Sequence, residues 1–205
     1  VSAQDDPEDP YVNICNLKGW GLRLNKVWSD ADYMSERGAA YFAVYTGIAE
    51  DNLTMIRGTV RELKYSMKPQ TLYWYFLPLP VNVPFDQYEI REVRITGNPI
   101  IDNDGTVIND ESLDIEPIPH EGNLTINGMQ KGETASSDFE YTVLYDKGHI
   151  EDGSNVRADT VTNNRPGIIL KKSEWDVTTP LAGATFTSTA VTNAMNEMFE
   201  ANRRS

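Results

Sequence analysis

The sequence predicts an all-β sandwich. Three observations carry this. Short runs rich in Val, Ile, Thr and Tyr alternate apolar and polar residues, the period of a strand. Gly, Pro, Asn and Asp break these runs at short intervals, as the turns of a sandwich require. Helical spacing is nearly absent until the last fifteen residues. At 205 residues the chain has room for one full domain and part of a second.

Residues 1–17, with Asp5-Asp6-Pro7-Glu8-Asp9-Pro10, read as an acidic, solvated leader. Strands are expected over 22–28, 39–46, 59–65, 71–77 and 85–95, with a polar turn at Ser29-Asp30-Ala31-Asp32. Pro78-Leu79-Pro80 ends the fourth run, because proline cannot continue a ladder. Residues 97–137 are polar and rich in turn formers, and read as an insertion carrying short strands or loops. Strands resume over 139–145 and 156–163. Pro166-Gly167 marks a boundary. Beyond it Ile168, Leu170 and Lys172 repeat the spacing of Leu22, Leu24 and Lys26, as if a second domain of the same kind began at 166. Val191, Met195, Met198 and Phe199 instead fall at helical spacing, so 166–205 reads as a truncated or atypical start with a helical tail.

Lys26 breaks the alternation. It lies on the face of Leu22, Leu24 and Trp28, since side chains two apart share a face. Glu92 likewise shares the face of Tyr88 and Ile90, and Asn163 that of Val161. A bare charge in a sheet core is costly, so such groups are paired or neutral. From spacing alone, Lys26 could equally be an edge lysine whose ammonium reaches solvent. Glu89 and Asp86 are rivals to Glu92, but lie on the wrong parity or outside the strand. Asn164 rivals Asn163 under a register slip of one residue.

Several segments together resemble the collagen-adhesin B-type (Cna-B) domains of Gram-positive surface adhesins and pilins. Leu24-Asn25-Lys26-Val27-Trp28-Ser29-Asp30-Ala31-Asp32 is similar to that family's opening strand and acidic turn, and Tyr73-Trp74-Tyr75-Phe76-Leu77-Pro78-Leu79 to its aromatic strand. Tyr88-Glu89-Ile90-Arg91-Glu92 is similar to its Tyr-x-Val-x-Glu strand, and Asp159-Thr160-Val161-Thr162-Asn163-Asn164-Arg165-Pro166 to its closing strand. Pro180-Leu181-Ala182-Gly183-Ala184-Thr185-Phe186 is similar to the start of a further such domain, with Lys172 as its opening lysine. The likeness covers about residues 18–187, and the insertion makes the first domain, 18–165, larger than a minimal member. The resemblance implies a transthyretin-like or inverse immunoglobulin-like β-sandwich. It also implies an intramolecular isopeptide bond between Lys26 and Asn163, promoted by Glu92. The expected role is a stalk or spacer at the cell wall, extracellular, with neighbouring domains of the same surface protein as partners. The alternative is an adhesin module that binds a glycan or a host matrix protein.

That chemistry takes no cofactor or metal and turns over once. Burial lowers a lysine pKa and raises a glutamate pKa, so the pair can exchange a proton and become neutral together. A neutral amine can then attack the side-chain amide. A hydrogen bond from the protonated acid to the carbonyl oxygen would stabilise the charge that develops there. Other compositions of function are disfavoured. A net charge of −13 opposes binding to nucleic acid or an anionic membrane. One cysteine, Cys15, allows no internal disulfide, and no apolar run is long enough to span a bilayer. Asp102-Asn103-Asp104-Gly105 lacks the spaced acid set of a calcium loop and reads as a solvated turn. His120 and His149 belong to no metal or triad pattern. The Tyr73-Trp74-Tyr75 run reads as packing in preference to a sugar platform.

Overall fold

A computed structural model describes residues 19–47, 50–150 and 154–165. The acidic leader, Cys15 and everything assigned to 166–205, Lys172 included, lie outside the described residues. Among the described residues eleven strands form in chain order. They are β1 (Trp20–Trp28), β2 (Met34–Arg37), β3 (Ala40–Thr46), β4 (Thr54–Met55), β5 (Arg61–Leu63), β6 (Thr71–Phe76), β7 (Tyr88–Thr96), β8 (Asp114–Pro117), β9 (Gly122–Gln130), β10 (Ser137–Asp146) and β11 (Val156–Asn164). The only helical pieces among the described residues are three single 3-10 turns. None of them is long and apolar enough to cross a membrane.

The strands make two sheets. One has six strands in the order β2-β9-β10-β11-β1-β6, and the other is built on β4-β3-β7-β8, with β5 also paired to β3. Every pairing is antiparallel except β1 with β11, the first and last strands, which run side by side and parallel. The chain therefore enters the domain at one end of the sandwich and leaves β11 at the other. A nine-residue strand separates those ends by about 30 Å.

The interior forms because the inward parity is apolar on both sheets. Leu22, Leu24 and Trp28 of β1, Leu72 and Trp74 of β6, Tyr141 and Val143 of β10 and Val161 of β11 meet Phe42 and Val44 of β3 and Tyr88 and Ile90 of β7. The outer face of the second sheet is also covered. Ala43, Tyr45 and Val93 pack there with Val60 and Val107, and Ile101 and Leu113 join them.

That second cluster shows what the 97–137 segment does. Its first part lays Ile101, Val107 and Leu113 over the sheet, and its β8 pairs with β7. Its β9 is not peripheral. Nine residues long, it sits between β2 and β10 inside the six-stranded sheet. The sequence hides it because Gly122, Asn123, Asn127 and Gly128 dilute its alternation. Met34–Arg37 and Thr54–Met55, outside the strands expected from the sequence, are likewise strands, held by pairing to β9 and β3.

Two buried ionic clasps tie the ends. The Arg157 guanidinium holds Asp159 (2.8 Å) and donates to the backbone oxygens of Phe85 (3.0 Å) and Tyr88. It thus links β11 to the start of β7 in the facing sheet. At the other end Asp30 accepts from Arg37 and from the Tyr141 hydroxyl (2.9 Å), and Arg165 approaches it at 3.7 Å.

Val107 is fully buried in the outer cluster. Val107→Ala is expected to lower the unfolding free energy by about 2 kcal/mol, from lost apolar burial and the cavity left. Urea denaturation measures this, and no change would mean that the 97–113 cover is dispensable.

Candidate functional site

Lys26, Glu92 and Asn163 meet in the sandwich interior. Lys26 and Asn163 come from the parallel neighbours β1 and β11, where Lys26 stands opposite Val161 and Trp28 opposite Asn163. The two side chains are thus offset by one same-face step along adjacent strands. Glu92 reaches them from β7 of the facing sheet. Glu92 and Asn163 are fully buried and Lys26 nearly so.

The three close a ring of hydrogen bonds. Lys26 Nζ donates to Glu92 Oε2 at 2.9 Å and to Asn163 Oδ1 at 2.5 Å, and Asn163 Nδ2 donates to Glu92 Oε1 at 3.0 Å. Each carboxylate oxygen therefore serves one partner. One takes the amine, and the other takes the amide nitrogen. The sequence expectation put Glu92 on the amide's carbonyl oxygen. The arrangement puts it on the nitrogen, and the carbonyl oxygen faces Lys26.

The walls are aromatic. Lys26 Nζ lies 4.6 Å from the Trp28 ring centroid and 5.5 Å from that of Phe42. Phe42 is the cross-strand neighbour of Glu92. The Glu92 backbone is pinned on both sides: its N–H donates to the Tyr145 hydroxyl (3.2 Å) and its carbonyl accepts from the Ile118 N–H (2.9 Å). The Tyr145 hydroxyl in turn donates to the Ile118 carbonyl at 2.8 Å. At the Asn163 end, the Asn163 carbonyl accepts from the Ser29 N–H at 3.1 Å, and the Ser29 hydroxyl accepts from the Arg165 N–H at 2.9 Å. A cleft of about 200 Å³, lined by Gly38, Tyr41, Leu124 and Ile126 among others, reaches Glu92 between the sheets.

Burial drives the electrostatics. Loss of solvation lowers the Lys26 pKa from 10.5 to about 8; the Glu92 charge pulls the other way, and the Arg37 guanidinium adds a smaller lowering. The Arg37 guanidinium lies 4.4 Å from the Trp28 ring centroid, so both cations lie against the same indole. At pH 7 a pKa of about 8 leaves about a tenth of the lysine neutral, against roughly three in ten thousand for a lysine in water.

The rivals stand elsewhere. Glu89 pairs with Arg91 and Lys147 on the outer side of β7, and Asn164 is exposed. Asp102 and Asp104 spend their carboxylates on the N–H groups of their own turn, Asp104 and Thr106. His120 accepts from the Tyr145 N–H at 3.3 Å. Within the aromatic run Trp74 is core, whereas Tyr73 and Tyr75 expose 54% and 64% of their surface. The packing reading thus holds for Trp74 alone. Sequence reasoning missed Trp28, Phe42, Arg37 and Tyr145 as parts of the site. Parity could have pointed to Trp28; nothing local marks the others.

Asn163→Ala keeps Lys26 and Glu92 together with no bond to form. A lysine with a depressed folded pKa adds stability that is complete above 10.5 and is lost as pH falls through about 8, because the unfolded chain binds the proton more tightly. The stability of Asn163→Ala should therefore rise between pH 8 and 10, by about 2–3 kcal/mol. Above pH 10 Tyr45, pushed up to about 12 by burial, reverses the trend. The Lys26→Met/Asn163→Ala double variant should lack the rise in pH-dependent urea melts; an identical slope would remove Lys26 as its source.

No family model, no curated protein and no solved structure matches this chain.

Proposed function

We propose that this chain is a stalk or spacer domain of a Gram-positive surface adhesin or pilin, locked by a self-formed amide bond between Lys26 and Asn163. The observation that carries the reading is the closed ring of Lys26, Glu92 and Asn163 in a dry interior. The sequence resemblance to Cna-B domains supplies the biological setting, an extracellular one at the cell wall, and the transthyretin-like name for the topology.

The step begins with an ammonium on Lys26 and a carboxylate on Glu92. Glu92 Oε2 takes one proton, and the neutral Nζ attacks Cγ of Asn163. A new Nζ–Cγ bond forms as the Cγ–Nδ2 bond breaks. The carboxyl group of Glu92 gives that first proton to Nδ2, the carboxylate so regenerated takes the second proton from Nζ, and the nitrogen departs as ammonia, which carries the last proton off Glu92 as ammonium. Glu92 ends as the carboxylate it began as, and no outside reagent enters. The groups are held within hydrogen-bonding distance before reaction, and such placement is worth on the order of 7–11 kcal/mol of barrier. The cleft beside Glu92 offers ammonia a way out.

Mechanically, the parallel β1–β11 pairing places entrance and exit at opposite ends. Tension arriving at β1 would pass from Lys26 to Asn163 through a covalent bond, and the 137 residues of separation between them would carry none. That arrangement suits a domain strung in series with others. Closing a loop of this length stabilises by about 5 kcal/mol, by analogy with a disulfide.

Intact-mass spectrometry tests the bond. The wild-type domain should be lighter than its sequence by one ammonia, and Lys26→Ala, Asn163→Ala and Glu92→Gln should each have the full mass. A wild-type domain of unmodified mass would refute the cross-link. In thermal melts the unlinked variants should also unfold at distinctly lower temperature, and equal melting temperatures for wild type and Lys26→Ala would remove the structural role.

A further inference from the structure

We propose that the free edge of β6 is a docking edge for a second copy of this chain, two β6 strands pairing antiparallel about a two-fold axis. β6 ends the six-stranded sheet. Leu22 pairs with Trp74 and Leu24 with Leu72, and on the same line the Lys26 N–H donates to the Gln70 carbonyl at 2.9 Å. Hydrogen-bonded positions alternate in an antiparallel ladder. Leu72, Trp74 and Phe76 therefore turn their backbone groups to β1, while Thr71, Tyr73 and Tyr75 turn theirs away from the sheet. Among the described residues no backbone partner meets the outward groups of Tyr73 and Tyr75, whereas the Thr71 N–H donates to the Pro69 carbonyl at 2.9 Å.

An open edge is normally blunted by charge, proline, a bulge or shortness. The other edges obey this. β2 carries Glu36 and Arg37 and a register shift, β8 carries Asp114 and Glu116, β5 carries Arg61 and Glu62, and β4 has two residues. β6 carries none of these devices. Residues 69–85 contain no charged side chain at all, the longest such run among the described residues of a chain with net charge −13.

The outer face of β6 itself is uncharged, and β1 places Gly21, Arg23 and Asn25 beside it, with Arg23 directly across from Tyr73. Tyr73 and Tyr75 are followed along the same chain by Leu77, 53% exposed. The Tyr75 ring lies across glycines of β1 and its approach: a Cβ on Gly19 would fall 2.5 Å from Tyr75 Cζ, and one on Gly21 would fall 3.6 Å from Cδ2. A ring held flat on the sheet loses little freedom on docking.

Charge selects the occupant. Two copies at −13 each repel wherever their acidic surfaces meet, and a basic partner would seek those surfaces instead. β6 offers an uncharged edge on both sides of a symmetric contact at once. With Tyr73 opposite Tyr73 of the second copy, Thr71 stands opposite Tyr75, and the outward groups of Tyr73 and Tyr75 find partners, while the Thr71 N–H keeps its bond to the Pro69 carbonyl. One strand pair buries less than the roughly 1,200 Å² of a standard interface, so the dimer is weak and forms at high local concentration, as on a crowded surface. This inference does not rest on the cross-link.

Sedimentation equilibrium and amide hydrogen exchange of the whole chain test it over a wide concentration range. Wild type should show a reversible monomer–dimer equilibrium, and exchange at Tyr73 and Tyr75 should slow as concentration rises. Thr71→Lys and Tyr75→Lys should stay monomeric with unchanged melting temperature. Tyr73→Pro, which removes one outward N–H, should weaken dimerisation as well, and Glu36→Lys on the β2 edge should not. A wild type that stays monomeric up to its solubility limit overturns the proposal, whether or not a glycan binds the tyrosines. So does a dimer that survives both lysine variants, or exchange at Tyr73 and Tyr75 that ignores concentration. If the variants unfold, the wild-type exchange alone decides.

Discussion

The structure turns on an ion pair and an amide whose side chains are buried in the sandwich interior. Taking an ammonium and a carboxylate out of water costs several kcal/mol each, and attraction offsets this only if the remaining hydrogen-bonding capacity is also used. Here Glu92 divides its two oxygens between Lys26 and Asn163, and Asn163 closes the ring through its own oxygen. Remove Lys26 or Glu92 and a buried charge loses its counter-ion; remove Asn163 and the ion pair stays, but each of its members loses a hydrogen bond. The core is tolerable as drawn because it is complete, and reaction would replace two of its three polar members with one neutral amide.

The surrounding scaffold limits how far those groups can move apart. Backbone bonds at Tyr145 and Ile118 hold Glu92 on its side of the interior, and Ser29 and Arg165 hold the end of β11 to the turn after β1. The Asp30–Arg37–Tyr141 cluster sits just beyond Trp28 and brings a second cation near Lys26. Arg157 and Asp159 do the corresponding work at the opposite end. The Arg157–Asp159 clasp has both main-chain and side-chain partners, whereas the Asp30 cluster is held by side chains alone and leaves Arg37 Nη1 buried without a partner among the described residues.

The two faces of the second sheet explain the size of the domain. A sandwich normally leaves one face of each sheet to water. Here the second sheet buries both, the outer one under Val107, Ile101 and Leu113, so the chain between β7 and β9 is cover as well as connection. The six-stranded sheet keeps its outer face open at the Tyr73 and Tyr75 edge. Acidic surface elsewhere and an uncharged strip there give the molecule one face unlike the rest.

The sequence by itself determined which way the site residues point. Strand side chains repeat with period two, so Lys26, Glu92 and Asn163 could be placed on apolar faces from their immediate neighbours, and the all-β class followed from the same local alternation. Tertiary structure alone decided what stands beside what. The parallel pairing of β1 with β11, the seat of β9 inside the main sheet, and the contact of Asp30 with Tyr141 across 111 positions join segments whose local patterns carry no record of one another. The aromatic strand shows the limit most clearly: Leu72 and Trp74 form one face, Tyr73 and Tyr75 the other, and both are apolar enough to be core. Only the presence of Phe42, Tyr88 and the facing sheet on one side and solvent on the other chose between them. Periodicity reports a residue's face, whereas the neighbour across that face is set by long-range pairing that short spacing does not encode.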